Sequence, residues 1–350
     1  MTRTLPWLRS ASSFLVKRWK LWLGLIISLV FLYLALRGLQ LPALWEAVRT
    51  AHYWWIIPGV VVYFFAVWAR TWRWHYMLRP IKRVSLTRLF PVVCIGYMGN
   101  NVYPARAGEV IRCYVLRRKE DISMSASLAT VLVERIFDGV IMLLFVFLSL
   151  PFTPMVSALR HLVIVGSLAF FGALFVFFVF ALRPQWAQRM YVPLIHHFLP
   201  LRMRAPLIGI LDRFMEGLQS LRSVQDVTMI FMTSLVIWLA ETVKYWFVMH
   251  AFNFSVPFYV LMLMNGVVNL ATTIPSSPGY VGTFDLPGIE VLVSYGVLRP
   301  VATAYTLVLH GALWFPITVL GAYYMWREQV SWRDFSRAAE SKKQETVAVD

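Results

Sequence analysis

The sequence predicts an all-α polytopic membrane protein, with six full transmembrane helices and two re-entrant broken-helix segments arranged as an inverted repeat. Three observations predict it. First, 59% of the 350 residues are hydrophobic and 14% are charged. Soluble domains carry roughly 25% charge, and several apolar runs here reach the length that spans a bilayer. Second, 27 of the 33 Lys and Arg fall in five clusters, at residues 3–20, 70–88, 106–119, 183–222 and 327–343. Clustering of that kind marks cytoplasmic loops. Third, two stretches, residues 96–112 and 265–290, set helix breakers and polar residues among apolar surroundings. Irregular backbone at membrane depth is tolerated only where it is buried in protein or lines a water-filled cavity.

The net charge of +16 follows the loops and so speaks against a nucleic-acid partner. It gives a basic cytoplasmic face that attracts anionic lipid. The two cysteines, Cys94 and Cys113, lack metal-ligand spacing with a histidine and read as small buried apolar residues. No metal or cofactor is expected.

Taken in order, residues 1–20 form a basic cytoplasmic N-terminus, and residues 21–36 a first span that lacks a cleavage site. Residues 38–52 are a short outer loop. A second span runs from Tyr53 to Ala69, and Arg70, Arg73, Arg79, Lys82, Arg83 and Arg88 then mark the cytoplasm. The next apolar run, from Leu89, breaks at Asn100-Asn101 and Pro104 and becomes basic again at Arg117-Arg118-Lys119. Its two ends carry the same cytoplasmic signal, which favours a hairpin that enters and returns on one side. Two tilted spans joined by a turn at 103–108 is the alternative.

A third span covers residues 126–150 and holds Glu134, Arg135 and Asp138. A fourth covers 162–182. The linker 184–226 contains an apolar stripe, Leu207, Leu211, Phe214, Met215, Leu218 and Leu221. That spacing fits an amphipathic helix on the cytoplasmic interface or an ordinary packing helix. A fifth span, 227–250, carries Glu241 and Lys244. The second broken segment follows, and a last span, 301–326, contains His310. The tail, 329–350, is polar, and its final stretch from Glu340 reads as disordered.

Span, broken segment, span occurs at 53–150 and again at 227–326. The first break is flanked by basic residues and opens to the cytoplasm. The second has almost none and opens outside. That order is an inverted-topology repeat within one domain, 21–328. Both termini are then cytoplasmic.

Broken helices leave helix ends inside the membrane, and free N–H groups there bind phosphate or carboxylate. Arg106 and Arg112 beside the first break suit phosphate recognition; as interfacial anchors they would equally obey the positive-inside rule. Glu134 and Asp138 share a helix face at i, i+4, with Arg135 about 100° away. Charges at that depth line a pathway or pair internally. Candidate substrate-binding residues are therefore Arg106, Glu109, Arg112, Glu134, Arg135, Asp138, Asn100, Asn101, Asn269, Ser276, Ser277 and Asp285. Pro104, Gly108, Pro275, Pro278, Gly279 and Gly282 form the breaks. Glu241 and Lys244 are spaced to neutralise each other, and His310 reads as hydrogen-bonded packing.

The runs Gly-Asn-Asn-Val-Tyr-Pro-Ala-Arg-Ala-Gly-Glu-Val-Ile-Arg (99–112), Val-Glu-Arg-Ile-Phe-Asp (133–138) and Ile-Pro-Ser-Ser-Pro-Gly-Tyr-Val-Gly (274–282) resemble the lysylphosphatidylglycerol synthase transmembrane-region family, also called flippase-like membrane proteins. The resemblance covers about residues 20–328. It implies translocation of a lipid, which bifunctional members combine with a separate soluble synthase domain. Nothing after Trp326 is long enough for that domain, so lysyl transfer is not implied.

The leading expectation is translocation of a phosphate-bearing phospholipid, aminoacyl-lipid or isoprenoid-linked headgroup across the cytoplasmic membrane. The alternatives are an intramembrane lipid-modifying enzyme and an accessory subunit of a lipid or glycolipid biosynthesis enzyme. No zinc pair, nucleophile elbow or nucleotide loop supports catalysis.

Overall fold

The computed structural model describes residues 40–103, 106–152, 183–198, 200–218, 221, 223–274 and 277–330, with residues 26, 29–34, 168, 171, 172, 175, 176, 179 and 182 besides. The basic N-terminus, most of the expected first and fourth spans, the tail from 331, and Pro104, Pro275 and Ser276 lie outside the described residues.

Among the described residues all regular structure is helical. The order is α1 (Leu41–Arg49), α2 (Ile56–Leu78), α3 (Leu86–Val102), α4 (Ala107–Glu120), α5 (Met124–Ser149), α6 (Pro184–Phe198), α7 (Leu201–Gly217), α8 (Val224–Met249), α9 (Phe258–Ala271), α10 (Asp285–Ser294) and α11 (Arg299–Arg327). Among the described residues, three segments are long and apolar enough to cross a membrane: Tyr53–Leu78, Val224–Met249 and Arg299–Arg327. Helix α5 matches them in length at 26 residues but carries Glu134, Arg135 and Asp138. Helices α4, α9 and α10 have 14, 14 and 10 residues, short of the roughly 20 that a crossing needs.

Local chemistry explains the ends. Tyr103 after α3 is extended, with φ −110° and ψ 148°, as the proline that follows it in sequence requires. Helix α4 carries Glu109 in its first turn and Arg117, Arg118 and Lys119 in its last, which complements its dipole. The Ser223 side chain accepts from the Asp226 N–H at 3.3 Å and caps α8. Pro300 in the first turn starts α11.

Two departures from the sequence reading matter. The second span was expected to end at Ala69, but α2 continues to Leu78 and takes Arg70 and Arg73 into the protein at 6% and 0% exposure. The expected outer loop contains a nine-residue helix, α1, which packs on α11. Helix α7 docks on α5 through Gly217, whose surroundings are Ala126 and Ala129. Its Met215 and the adjacent Leu218 are buried, so the C-terminal end of the linker stripe packs inward, while Leu207, Leu211 and Phe214 are half-buried.

Helix α2 pairs with α8, α3 with α11, and α9 with α5. Each pair runs antiparallel. Along α2 and α8, Gly59 faces Val248, Arg70 meets Glu241 and Arg73 meets Ser234. Along α3 and α11, Phe90 meets Tyr324 and Asn101 meets Thr318. On α9 and α5, Tyr259 meets Ser149 and Gly266 meets Met142.

Helices α3 and α4 form a tight hairpin, with Arg88 against Glu120 at the open end and Gly99 against Gly108 near the turn. Gly108 is required by close approach: a Cβ there would overlap the Gly96 carbonyl oxygen and the Asn100 amide nitrogen. Helices α9 and α10 form a looser hairpin, with Gly288 against Met264 and Val268. Outward-facing Ile57, Val61, Phe65 and Trp68 on α2, and Phe315, Val319 and Tyr323 on α11, are exposed. Lipid is the solvent that suits them.

Candidate functional site

The site begins with charge carried by long helices. Arg73 on α2 donates to Asp138 at 2.7 Å and to Ser234 at 2.7 Å, and stands 3.4 Å from Glu134. Glu134 also pairs with Arg112 on α4. Asp138 accepts from the Trp238 indole at 2.9 Å and pairs with Arg135 at 3.0 Å. Arg70, one turn before Arg73, meets Glu241 at 2.6 Å, and Lys244 pairs with the other oxygen of Glu241. Buried ions are tolerable only when paired and hydrogen-bonded, and these carboxylates each meet two cations.

The broken segments bring the rest. Arg106 sits at the turn of the first hairpin in the left-handed region, φ 52° and ψ 36°. It reaches Thr272 at the end of α9 at 3.3 Å and lies 5.7 Å from the Tyr280 ring centroid. Tyr280 also has positive φ, 61°. Asn101 donates to Thr318 at 2.8 Å and to the Trp314 carbonyl at 3.2 Å. Gly279, with φ 72°, packs on the Trp314 indole, where a side chain has neither room nor a favoured conformation. His310 links Gly279 O at 2.7 Å to Asp285 at 2.8 Å, and Asp285 accepts from the Gly282 N–H at 2.8 Å.

The two breaks thus meet, and a cavity of about 140 Å³ lies between them. Its wall includes Arg70, Asn100, Asn101, Arg106, Arg135, Asp138, Glu241, Asn269, Thr272, Tyr280, His310 and Trp314. A smaller recess of about 20 Å³ shares Tyr97, Asn100 and Arg135 with it and adds Gly108, Glu109 and Arg112. Around both, the five carboxylates Glu109, Glu134, Asp138, Glu241 and Asp285 are outnumbered by the six cations Arg70, Arg73, Arg106, Arg112, Arg135 and Lys244. Asn100 Oδ1, Arg106 Nε, Glu109 Oε1, Arg112 Nε and Arg135 Nε are buried without a hydrogen-bond partner. Such atoms are rare, and each calls for an unplaced water, ion or ligand. A surplus of cations with free donors is chemistry suited to an anion.

Of the sequence-derived candidates, Asn100, Asn101, Arg106, Arg135, Asp138 and Asn269 line the cavity, and Glu109 and Arg112 line the recess. Glu134 stands behind the wall, holding Arg73 and Arg112. Asp285 also stands behind it, anchoring Gly282 and His310. Ser277 is half-buried, its hydroxyl 3.4 Å from the Pro278 carbonyl. Of the proposed breaks, Gly108 is the hairpin's contact point, Pro278 opens a 3₁₀ turn, and Gly279 and Gly282 have positive φ. Glu241 and Lys244 do neutralise each other, and Asn269 donates to Asn265 at 2.8 Å.

Sequence reasoning missed Arg70 and Arg73, and the aromatic wall of Tyr63, Tyr97, Trp238, Tyr245, Tyr280 and Trp314. A signal for the arginines was present: Thr71, Trp72 and Trp74 continue the apolar pattern around them, unlike the loop after Pro80. Among the described residues, no cluster of three or more His, Cys, Asp or Glu is disposed to hold a metal ion.

The fold and site define an all-helical membrane protein with a charged cavity between two broken hairpins. The chain belongs to the family described as the lysylphosphatidylglycerol synthase TM region, whose model matches residues 21–321. It is 25% identical over 294 residues to a UPF0104 membrane protein of Methanothermobacter thermautotrophicus, covering 80% of this chain and 85% of the relative. A UPF0104 membrane protein of Pyrococcus horikoshii is 22% identical over 76% of this chain and 84% of its own length. The glycosyltransferase AglD of Haloferax volcanii is 23% identical over 76% of this chain but only 47% of its own length. No solved structure gives a significant match.

Proposed function

We propose that the protein is a lipid translocase of the cytoplasmic membrane, moving a phosphate-bearing lipid headgroup from one leaflet to the other. One observation carries this reading: the breaks of two hairpins meet at a cavity whose charges favour an anion. The halves 53–150 and 227–326 form the inverted repeat, joined by the cytoplasmic linker 184–226. The antiparallel α2–α8 pairing and the reciprocal α3–α11 and α9–α5 contacts support it. An inverted repeat with its site at the midplane is a common transporter plan. The short helices α4, α9 and α10 are re-entrant limbs, the first hairpin opening to the cytoplasm and the second outside, with both chain termini cytoplasmic. A headgroup entering either hairpin reaches the same cations.

Purified protein in liposomes accelerates transbilayer movement of an anionic phospholipid on this reading, and Arg106→Gln slows it. No acceleration with any phosphate-bearing lipid, from phospholipid to isoprenoid phosphate, contradicts it. Cysteines placed at 119 and at 290 are labelled from opposite sides; labelling from one side removes the inverted repeat.

A second reading is favoured by the glycosyltransferase relative: the protein serves as a membrane partner in a glycolipid pathway. Co-purification with a glycosyltransferase, with growth unaffected by substitutions at both breaks, would favour it over translocation.

A further inference from the structure

We propose that His310 and Asp285 form a proton-binding site whose occupancy holds the second broken segment against α11 and the first break, a proposal that rests on the translocation reading and adds a proton as the second ligand of that passage.

Both imidazole nitrogens of His310 face groups that accept. Nε2 lies 2.7 Å from the Gly279 carbonyl oxygen, and Nδ1 lies 2.8 Å from Asp285 Oδ1. A carbonyl oxygen only accepts, so Nε2 carries a hydrogen. A neutral imidazole has just one, which leaves a lone pair on Nδ1 facing a carboxylate. Lone pairs at that distance repel. The arrangement closes with one more proton, on Nδ1 as imidazolium or on Oδ1 as carboxylic acid. Its release gives a neutral imidazole, a carboxylate and a proton carried off by water. One of the two hydrogen bonds is then lost.

Those bonds hold a turn that joins the two breaks. Gly279 packs on the Trp314 indole, which donates to the Asn101 carbonyl at 3.4 Å. Tyr280 stands at positive φ, 61°, with Arg106 over its ring. Strained backbone keeps its place while its surroundings hold it. Loss of the proton therefore loosens the turn and the contact with the first break. The conformation seen here is the one that binds the proton, so acid favours the held turn and alkali the free one.

His310 is half-buried on the cavity wall and Asp285 is 1% exposed, so the proton exchanges through the cavity. The Phe284 ring centroid lies 4.5 Å from that of the imidazole. The other charges on the wall have partners: Arg70 with Glu241, Arg135 with Asp138, and Arg106 with Glu109 and the Tyr280 ring. The phenols of Tyr63, Tyr97 and Tyr245 are the remaining titratable groups there. Glu290, also on α10, pairs with Arg299 at the start of α11 at 2.9 Å. Glu46 of α1 stands near Pro300 and Val301 at that same end. Imidazole is the side chain whose charge ordinarily changes near neutral pH.

Hydrogen exchange of the full-length protein in nanodiscs reads the turn directly. A peptide spanning residues 278–285 is followed at about pH 5 and about pH 9, which bracket the ordinary range of imidazole. Labelling times are corrected for the intrinsic pH dependence of exchange. Corrected exchange is expected to be about tenfold faster in alkali, equivalent to about 1.4 kcal/mol. Asp285→Asn supplies the same bonds without the extra proton, its amide donating to Nδ1 and its oxygen accepting from the Gly282 N–H. That variant is expected to stay protected at both pH values. His310→Gln, with no ring to titrate, is expected to show no response to pH. Equal protection of the wild type at both pH values overturns the proton site. So does a response that survives in Asp285→Asn, or one shared equally by a peptide from α3.

Transbilayer lipid movement is measured on the same preparations. It is expected to be slower in acid than in alkali for the wild type, and slow at both for Asp285→Asn. A turn that responds to pH in a protein that moves no phosphate-bearing lipid overturns translocation and leaves the proton site standing. Lipid movement by a protein whose turn ignores pH overturns the proton site and leaves translocation standing.

Discussion

Arg106 and Tyr280 face each other from the two broken segments, both at positive φ, 52° and 61°, with the guanidinium 5.7 Å from the ring centroid. A left-handed conformation costs a residue with a side chain about 1–2 kcal/mol, and strain of this kind collects at functional sites. Glycine adopts the same backbone freely. Arg106→Gly is therefore expected to leave the melting temperature unchanged or raised, while lipid movement falls about tenfold with loss of the charge–ring contact and the anion donor. Melting curves and a liposome assay on the same preparation check it. A variant that loses stability and keeps transport would assign Arg106 to the scaffold.

Arg73 is the deepest cation, at 0% exposure, and holds Glu134 and Asp138 together. Removing one partner of a buried pair leaves an uncompensated charge and costs about 3–5 kcal/mol. Arg73→Met is expected to destabilise by that order in denaturant unfolding. The triple change Arg73→Met, Glu134→Gln and Asp138→Asn is expected to cost more, because it also strips Arg112 and Arg135 of their own partners.

Gly108 has no space for a methyl group, with the Gly96 carbonyl and the Asn100 amide on it. Gly108→Ala must push α3 and α4 apart, and an overpacked contact costs about 1–3 kcal/mol. A lower melting temperature and weaker lipid retention together are expected. Gly311→Ala is the control, since nothing lies within 4 Å of a Cβ there.

Glu120 closes α4 in a charged layer outside the spanning segments. Burial pushes its carboxyl up, but hydrogen bonds and charge from Lys82 and Arg88 outweigh this and hold it below its ordinary value of 4.5. A carboxyl lowered in the folded state contributes stability above the unfolded value, and that contribution is lost as pH falls through the folded one. The Lys82 and Arg88 side chains are 47% and 71% exposed, so the contribution is small, about 0.5 kcal/mol. The wild-type melting temperature should exceed that of Glu120→Gln at pH 7, and the gap should close below pH 4.5. A gap that widens in acid would contradict the pairing.

Breaks between Val102 and Ala107 and at residues 274–285 were legible because Gly and Pro punctuate an apolar run, but the expected break at Asn100-Asn101 is corrected: both asparagines are helical and stand inside α3, just before the chain turns. The Glu134–Asp138 face was legible from helical periodicity alone. Arg70 and Arg73 were passed over despite Trp72 and Trp74 around them: counting basic residues treats an arginine near a span's end as solvated, whereas here the carboxylates that neutralise them, Glu241, Glu134 and Asp138, come from other helices. A tertiary partner leaves no mark next to the residue it serves. The aromatic wall was hidden for a related reason. Tyr97 and Trp238 look like any lipid-facing aromatic until Arg70 is found across both rings.

The direct measurement is transbilayer lipid movement in liposomes with the two breaks tethered. Arg106→Cys and Thr272→Cys, on side chains that touch in the native protein, are joined by a cleavable bifunctional thiol reagent, in a background with Cys94 and Cys113 replaced by Ala. If the meeting of the breaks is the passage, the residual movement of an anionic phospholipid left by the Arg106 substitution stops on tethering and returns to that residual rate when the linker is cleaved. An unchanged rate in the fully tethered protein would show that lipid crosses elsewhere, or that this protein does not carry it.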